Sequence, residues 1–251
     1  MDCDCICSKI FKKGVCKLKS IITSPAFGVL ISIAAYLIGC VIKEKFKLPI
    51  FNPLLIAIII LIAVLSGFNI EYNDYNKGGE IISFFLAPAT IALALPLYKK
   101  FSLFKKNALP ILVGILCGVI SGILSVIVLA KAFNLSNELV ESLIPKSITT
   151  PIGMALSEQL GGLPSITVVA IIVTGILGSI IGPFLNKILK INDKVAMGIA
   201  MGNSSHAVGT ARAMELGEIE GAMSSLTIAI SGIATVVLAP LLWSFFIRFI
   251  N

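Results

Sequence analysis

The chain has 251 residues, 57% of them hydrophobic, a mean hydropathy of +1.02, and a formal charge of +7 from 20 Lys and Arg against 13 Asp and Glu. Charged residues make up only 13%, about half of the roughly 25% usual in a soluble domain, which excludes a soluble domain large enough to work alone and makes lipid the main solvent. The basic surplus excludes a nucleic-acid partner: most lysines lie in short clusters between apolar runs, where they set topology, and no basic stripe is interleaved with aromatics.

A tail, residues 1–23, comes first, with Lys9 to Lys19 and Cys3, Cys5, Cys7 and Cys16. Cys-x-Cys-x-Cys binds a soft metal or accepts a lipid, but no His or second Cys pair completes a zinc set. The tail therefore reads as a reduced cytosolic segment, with no metal and no cofactor assigned. Residues 24–251 read as one transmembrane domain, in which Cys40 and Cys117 are expected to be small core residues. The first span runs from Pro25 to Ile42 and ends in Lys43-Glu44-Lys45-Phe46-Lys47. The second runs from Pro49 to Phe68; Asn52 and Pro53 either unwind its first turn or simply begin it. A polar link, Glu71 to Glu80, follows.

The third stretch, Ile81 to Tyr98, carries Pro88 and Pro96, both read as helix breaks, and in lipid a broken backbone survives only where protein or water covers it. A span from Ala108 to Ala130 then carries Gly114, Gly118 and Gly122 at helical spacing, a smooth face for close packing. After a polar stretch, Pro145-Lys146-Ser147-Ile148-Thr149-Thr150-Pro151 leads into Ile152 to Leu160, too short to span and read as a half-helix with Pro151 as its break. Pro164 to Leu189 is a span with Gly175, Gly178 and Gly182 at helical spacing. The last, Ala222 to Ile250, is long enough to require tilt, or a break near Gly232 or Pro240. Ala87-Pro88-Ala89-Thr90-Ile91-Ala92-Leu93-Ala94 echoes Thr150-Pro151-Ile152-Gly153-Met154-Ala155-Leu156, a weak internal repeat of the kind that marks transporter sites. The expected fold is all-α: a polytopic transmembrane bundle of about six to eight spans with discontinuous half-helix elements. Lys43 to Lys47 and Lys99 to Lys106 place their side in the cytoplasm, whereas the tail argues for the opposite orientation.

Ionisable residues within membrane-depth sequence mark a substrate or ion path by default. Thr149-Thr150-Pro151 reads as a helix start with Thr150 as N-cap and Pro151 first in the helix, its free N–H groups and positive dipole end suited to a carboxylate. Gly202-Asn203-Ser204-Ser205-His206 and Gly209-Thr210-Ala211-Arg212 combine cap-formers, glycines, an imidazole and a guanidinium. Arg212 either pairs with a carboxylate substrate or is tied to Glu215 three residues on. His206 either carries a coupled proton or is a hydrogen-bonded packing residue. Glu158 is either a second proton site or a solvated helix end, and Lys146 either neutralises an anion at the mouth or snorkels. Thr149, Thr150, Asn203, Ser204, Ser205 and Arg212 are thus the candidate substrate ligands. No HExxH, GxSxG or Walker loop is present, so an enzyme is not expected.

Three stretches carry a family resemblance: Phe85 to Tyr98, Pro145 to Ile152, and Gly202 to Glu218, reading FLAPATIALALPLY, PKSITTPI and GNSSHAVGTARAMELGE. In this order, within residues 25 to 245, they resemble the LrgB/CidB family, whose relatives include the C-terminal half of the plant plastidial glycolate/glycerate transporter. The resemblance implies a multi-pass inner-membrane protein that works with a small LrgA/CidA-type membrane partner, described as an antiholin-like or holin-like modulator of murein hydrolase activity and autolysis, with some members linked to pyruvate uptake. Residues before Ser24 have no counterpart in it. Broken helices, capped half-helix starts and buried His and Arg favour a carrier of a small monocarboxylate anion, of the pyruvate, glycolate or lactate class, with or without a proton, and a homo-oligomer is expected. The alternative is an antiholin- or holin-like pore, or a regulator of autolysis.

Overall fold

The computed structural model describes residues 22–46, 51–99 and 101–250, so the Cys- and Lys-rich tail lies outside the described residues. All regular structure among those residues is helical. The chain divides into two compact units, residues 1–90 and 91–251.

In the first unit, α1 (Pro25–Phe46) is a long apolar helix with Lys43 and Lys45 in its last turn, where the dipole favours cations. α2 (Pro53–Gly67) starts cleanly: the Asn52 side chain accepts from Leu54 N at 2.9 Å and Pro53 occupies the first turn, so these residues begin the helix rather than unwind it. The link expected over Glu71 to Glu80 is instead helical, α3 (Tyr72–Phe84). Its polar surface is stitched by Asp74–Lys77 at 2.7 Å and Asn76–Glu80 at 3.3 Å. Its Gly78 lies against Gly28 of α1, where a Cβ on Gly28 would fall 2.9 Å from Gly78 Cα; Ser32 and Tyr75 hydroxyls meet at 2.9 Å.

The proline-rich stretch breaks once, at Phe85, and not at either proline. α4 (Leu86–Lys99) begins there and runs through both Pro88 and Pro96. Pro88 is its third residue, where a missing N–H costs nothing because first-turn N–H groups lack intrahelical partners anyway. α5 (Phe101–Lys106) is a short connector.

The second unit is built on α6 (Ala108–Ala132), α9 (Pro164–Ile188) and α11 (Glu218–Ile250). With α1, these are the four described helices long and apolar enough to cross a membrane. The chain is a multi-pass membrane helical bundle. α11 is unbroken through Gly232 and Pro240 over 33 residues, about 50 Å at 1.5 Å per residue against a hydrocarbon core of about 30 Å. The core of this unit sets Ile111, Ile115, Val119 and Ile123 of α6 against Met223, Leu226 and Trp243 of α11. Their outward neighbours, such as Leu109, Val173, Ile233 and Leu241, are exposed, as lipid-facing residues should be.

Two short helices complete the unit, α7 (Asn137–Leu143) and α8 (Thr150–Leu160). α8 is the expected half-helix, shifted by one residue at its start: Thr149 is the N-cap, Thr150 the first residue and Pro151 the second. It stops at Gly161, whose φ of 100° closes the C-terminus with Gly162 N donating to Ser157 O at 2.8 Å. A buried hydroxyl cluster pins α8 to its neighbours: Thr167 Oγ1 lies 2.7 Å from Ser157 Oγ and 2.8 Å from Ser142 O.

Candidate functional site

α10 (Lys194–Leu216) holds the second discontinuity. Asp193 caps its start, accepting from Ala196 N at 2.8 Å. At His206 the backbone leaves the helix, with φ 41° and ψ −132°. Packing shows how far the chain turns there. Before the break, Gly198 sits on Glu220 and Met223, and Gly202 on Ser224 and Thr227, so this half runs parallel to α11. After it, Thr210 bonds Ser224 at 2.6 Å and Gly221 packs on Met214, so the second half runs antiparallel. Gly209 lies back against Met201 O and Ser205. α10 is therefore a helical hairpin with His206 at its tip.

Glycines on α9 receive that hairpin. Cβ atoms on Gly175, Gly178 and Gly182 would fall 2.6 Å from His206 Cε1, 1.8 Å from Ser205 Oγ and 2.5 Å from Met201 Sδ. The regular glycine spacing of α9 is thus a row of sockets for α10 side chains. On α6 only the middle glycine acts this way: Gly118 abuts the Asn203 amide, while nothing lies within 4 Å of a Cβ on Gly114 or Gly122. His206 is buried and its Nε2 lies 2.9 Å from Ile171 O; a carbonyl only accepts, so Nε2 carries the proton.

The start of α8 and the tip of α10 come to the same part of α11. Ile152 reaches Gly232, and a cleft is lined by Ser147 and Ile148 just before α8, Asn203 of α10, and Ser231 and Thr235 of α11. α11 residues 227–235 lie roughly 15–25 Å along its axis from the acidic start at Glu218, toward the middle of that helix. Asn203 closes the cleft on the α6 side, its Nδ2 donating to Ile115 O at 3.0 Å. The opposite wall is apolar, from Val119, Ile123 and Ile144. The space between these walls has room for about one water.

Of the residues singled out on the sequence, Asn203 enters the cleft and Thr149 and Thr150 adjoin it through Ile148. Ser205 is turned to α9, and the exposed Ser204 bonds back to Ala200 O at 2.8 Å. Arg212 does not line the cleft; it is paired with Glu215, both partly exposed, which is the local pairing weighed against a substrate role. Glu158 is exposed on α8. Ser231 and Thr235 were not singled out, because in sequence they are two small polar residues inside an apolar span. Lys146 is half-buried, donates to Ser147 Oγ at 3.4 Å, and forms no ion pair among the described residues.

The sequence profile of the LrgB-like family matches residues 32–245, which includes every element of this site. The chain belongs to the LrgB-like family. It is similar to the uncharacterized protein YxaC of Bacillus subtilis (strain 168), with 40% identity over 87% of this chain and 96% of the relative. It is also similar to the antiholin-like protein LrgB of the same organism, at 39% over 86% of this chain and 94% of the relative. The antiholin-like protein LrgB of Bacillus cereus (strain B4264) is 38% identical over 88% and 97%. No solved structure matches. Membership favours the antiholin-like alternative over the carrier that the sequence had put first.

Proposed function

We propose that this chain is an antiholin-like protein of the cell membrane that regulates murein hydrolase activity and autolysis, as a homo-oligomer and together with a small LrgA/CidA-type membrane partner. The observation that supports this reading is the match to antiholin-like LrgB relatives at 38–39% identity over nearly their whole length. Expression of this chain in a Bacillus subtilis strain lacking its antiholin-like LrgB tests it: restored autolysis rate and murein hydrolase zymogram are expected. An unchanged autolysis defect, with the protein present in the membrane, refutes it.

A second reading is favoured by one observation, the meeting of two broken helices at a polar cleft. Irregular backbone at membrane depth persists only where protein covers it or it lines a water-filled cavity, and in many transporters discontinuous helices form the substrate site. On this reading the protein carries a small monocarboxylate of the pyruvate, glycolate or lactate class. Saturable uptake of one of these acids into proteoliposomes, without release of a trapped dye, is the expected result. Dye release without saturation refutes a carrier.

A further inference from the structure

We propose that the foot of the α10 hairpin is a docking surface for anionic phospholipid headgroups, in which Lys187, Lys190 and Lys194 supply the charge and the Asn186 amide a hydrogen bond to the phosphate. The inference goes beyond both functional readings and holds under either.

The hairpin decides which basic residues share one end of the second unit. α9 ends at Ile188 and α10 begins at Lys194, so residues 189–193 join them at that end. Because α10 folds back at His206, its last residues return there, where α11 starts at Glu218. α6 starts at the same end: Asn203 bonds Ile115 two turns into it, whereas its other end leads through α7 to Glu141, which bonds Trp243 late in α11. Lys105 and Lys106 of α5 therefore lie at the end that carries Lys187, Lys190 and Lys194, and Lys131 and Arg248 lie at the other. The excess of lysine makes the hairpin end the cytoplasmic one, where the leaflet is anionic.

The turn itself shows what the lysines are for. α2, α6 and α9 close alike, with Ile70 N on Leu65 O and Leu135 N on Ala130 O at 2.9 Å, and Ile191 N on Asn186 O at 2.8 Å. The left-handed residue is Asn69 (φ 50°) in the first, Asn134 (φ 51°) in the second and Lys190 (φ 55°) in the third. Asparagine tolerates that region better than lysine, so the fold gains nothing from the cation there. Lys187, Lys190 and Lys194 are exposed and form no ion pair among the described residues. Beside them Phe184, Leu185, Ile188 and Leu189 are 46–65% exposed. Apolar side chains in the acyl layer with ammonium groups at headgroup level suit a bilayer, whereas a soluble acidic partner would leave the apolar groups uncovered.

Asn186 is an independent observation at the same turn. It is 5% exposed, and its Nδ2 is the one buried side-chain nitrogen or oxygen without a partner among the described residues. It continues the α9 row of Gly175, Gly178 and Gly182 into the last turn, next to Lys187. Buried polar groups are almost always paired, and the group left over is a donor, the polarity that a phosphate oxygen satisfies. Rotation about its own side-chain bonds brings the amide out to a phosphate held by the lysines.

The test is thermal unfolding of the purified full chain in detergent during titration with phosphatidylglycerol, beside phosphatidylcholine and inorganic phosphate. Phosphatidylglycerol at about 100 times its Kd is expected to raise the melting temperature by about 5–10 °C, and the other two to leave it unchanged. Replacing all three residues, Lys187→Gln, Lys190→Gln and Lys194→Gln, should raise the half-maximal lipid concentration about hundredfold, about fivefold for each charge. Asn186→Leu should raise the melting temperature without lipid, by removing an unpaired buried donor, and weaken the lipid response about tenfold. Lys131→Gln with Arg248→Gln, at the other end, should respond as the wild type does. An unchanged half-maximal concentration in the triple lysine variant or in Asn186→Leu overturns the proposal. So does an equal response to phosphatidylcholine or inorganic phosphate, or an equal loss in the Lys131 and Arg248 variant.

Discussion

Thr167→Val strikes the cluster that holds α8 in place. Thr167, Ser142 and Ser157 are all fully buried at 0% exposure. Thr167 Oγ1 is placed to donate its one hydrogen to Ser142 O at 2.8 Å, Ser157 Oγ at 2.7 Å or Leu163 O at 3.2 Å. Valine keeps the shape but removes the donor that Ser142 O and Ser157 Oγ share. Each buried group left unpaired costs about 1–3 kcal/mol on the scale of soluble proteins, whereas hydrogen bonds inside membrane proteins average about 0.6 kcal/mol, since the unfolded chain also finds partners. The expected loss is therefore about 1–4 kcal/mol, with Thr167→Ser nearly neutral. The assay is thermal or denaturant unfolding in detergent, followed by monodisperse fraction. Ser157→Ala removes one stranded group in advance, so the double variant should lose less than the sum of the two single losses. A Thr167→Val loss below about 0.5 kcal/mol, or strict additivity with Ser157→Ala, refutes the claim that this cluster fixes α8.

Three further outcomes follow from the close contacts. Gly202→Ala places a Cβ 2.6 Å from Ser224 O and 2.9 Å from Thr227 Cβ, atoms of a packed helix that cannot yield. It should destabilise by about 1–3 kcal/mol despite the roughly 0.5–1 kcal/mol that alanine gains in a helix, read as a lower melting temperature. Gly175→Ala displaces the His206 ring from Ile171 O, and is expected to abolish complementation of autolysis while the protein still folds; Gly114→Ala, with open space around it, should complement normally. Trp243→Phe removes the 2.9 Å bond from Nε1 to Glu141 Oε1 and should cost about 0.5–1.5 kcal/mol, measured by melting, because Glu141 is only half-buried.

Much of the architecture is legible locally. The long apolar runs predict α1, α6, α9 and α11 to within a few residues, since burial in lipid requires a continuous apolar helix of span length. Thr149-Thr150-Pro151 and Gly161-Gly162 mark both ends of α8, because a cap and a left-handed terminus are decided by the few residues that form them. The single break at Phe85 shows the limit of that logic, for a proline near a helix start carries no cost and therefore no information about a kink.

Other features depend on partners far along the chain. Residues 72–80 look like a link until Gly78 meets Gly28 of α1. Arg212 reads in sequence as a substrate ligand or as the partner of Glu215, and in the structure it is paired with Glu215, both partly exposed. Ser231 and Thr235 are ordinary residues of an apolar span until Asn203 and Ser147 come to face them. The sequence by itself determined that the chain is a membrane helical bundle interrupted near Thr149 and near His206, because helix continuity, capping and partition into lipid are short-range properties. Tertiary structure alone decided that the second interruption reverses the chain, because the sockets at Gly175, Gly178 and Gly202 that fold α10 back exist only where separate helices touch.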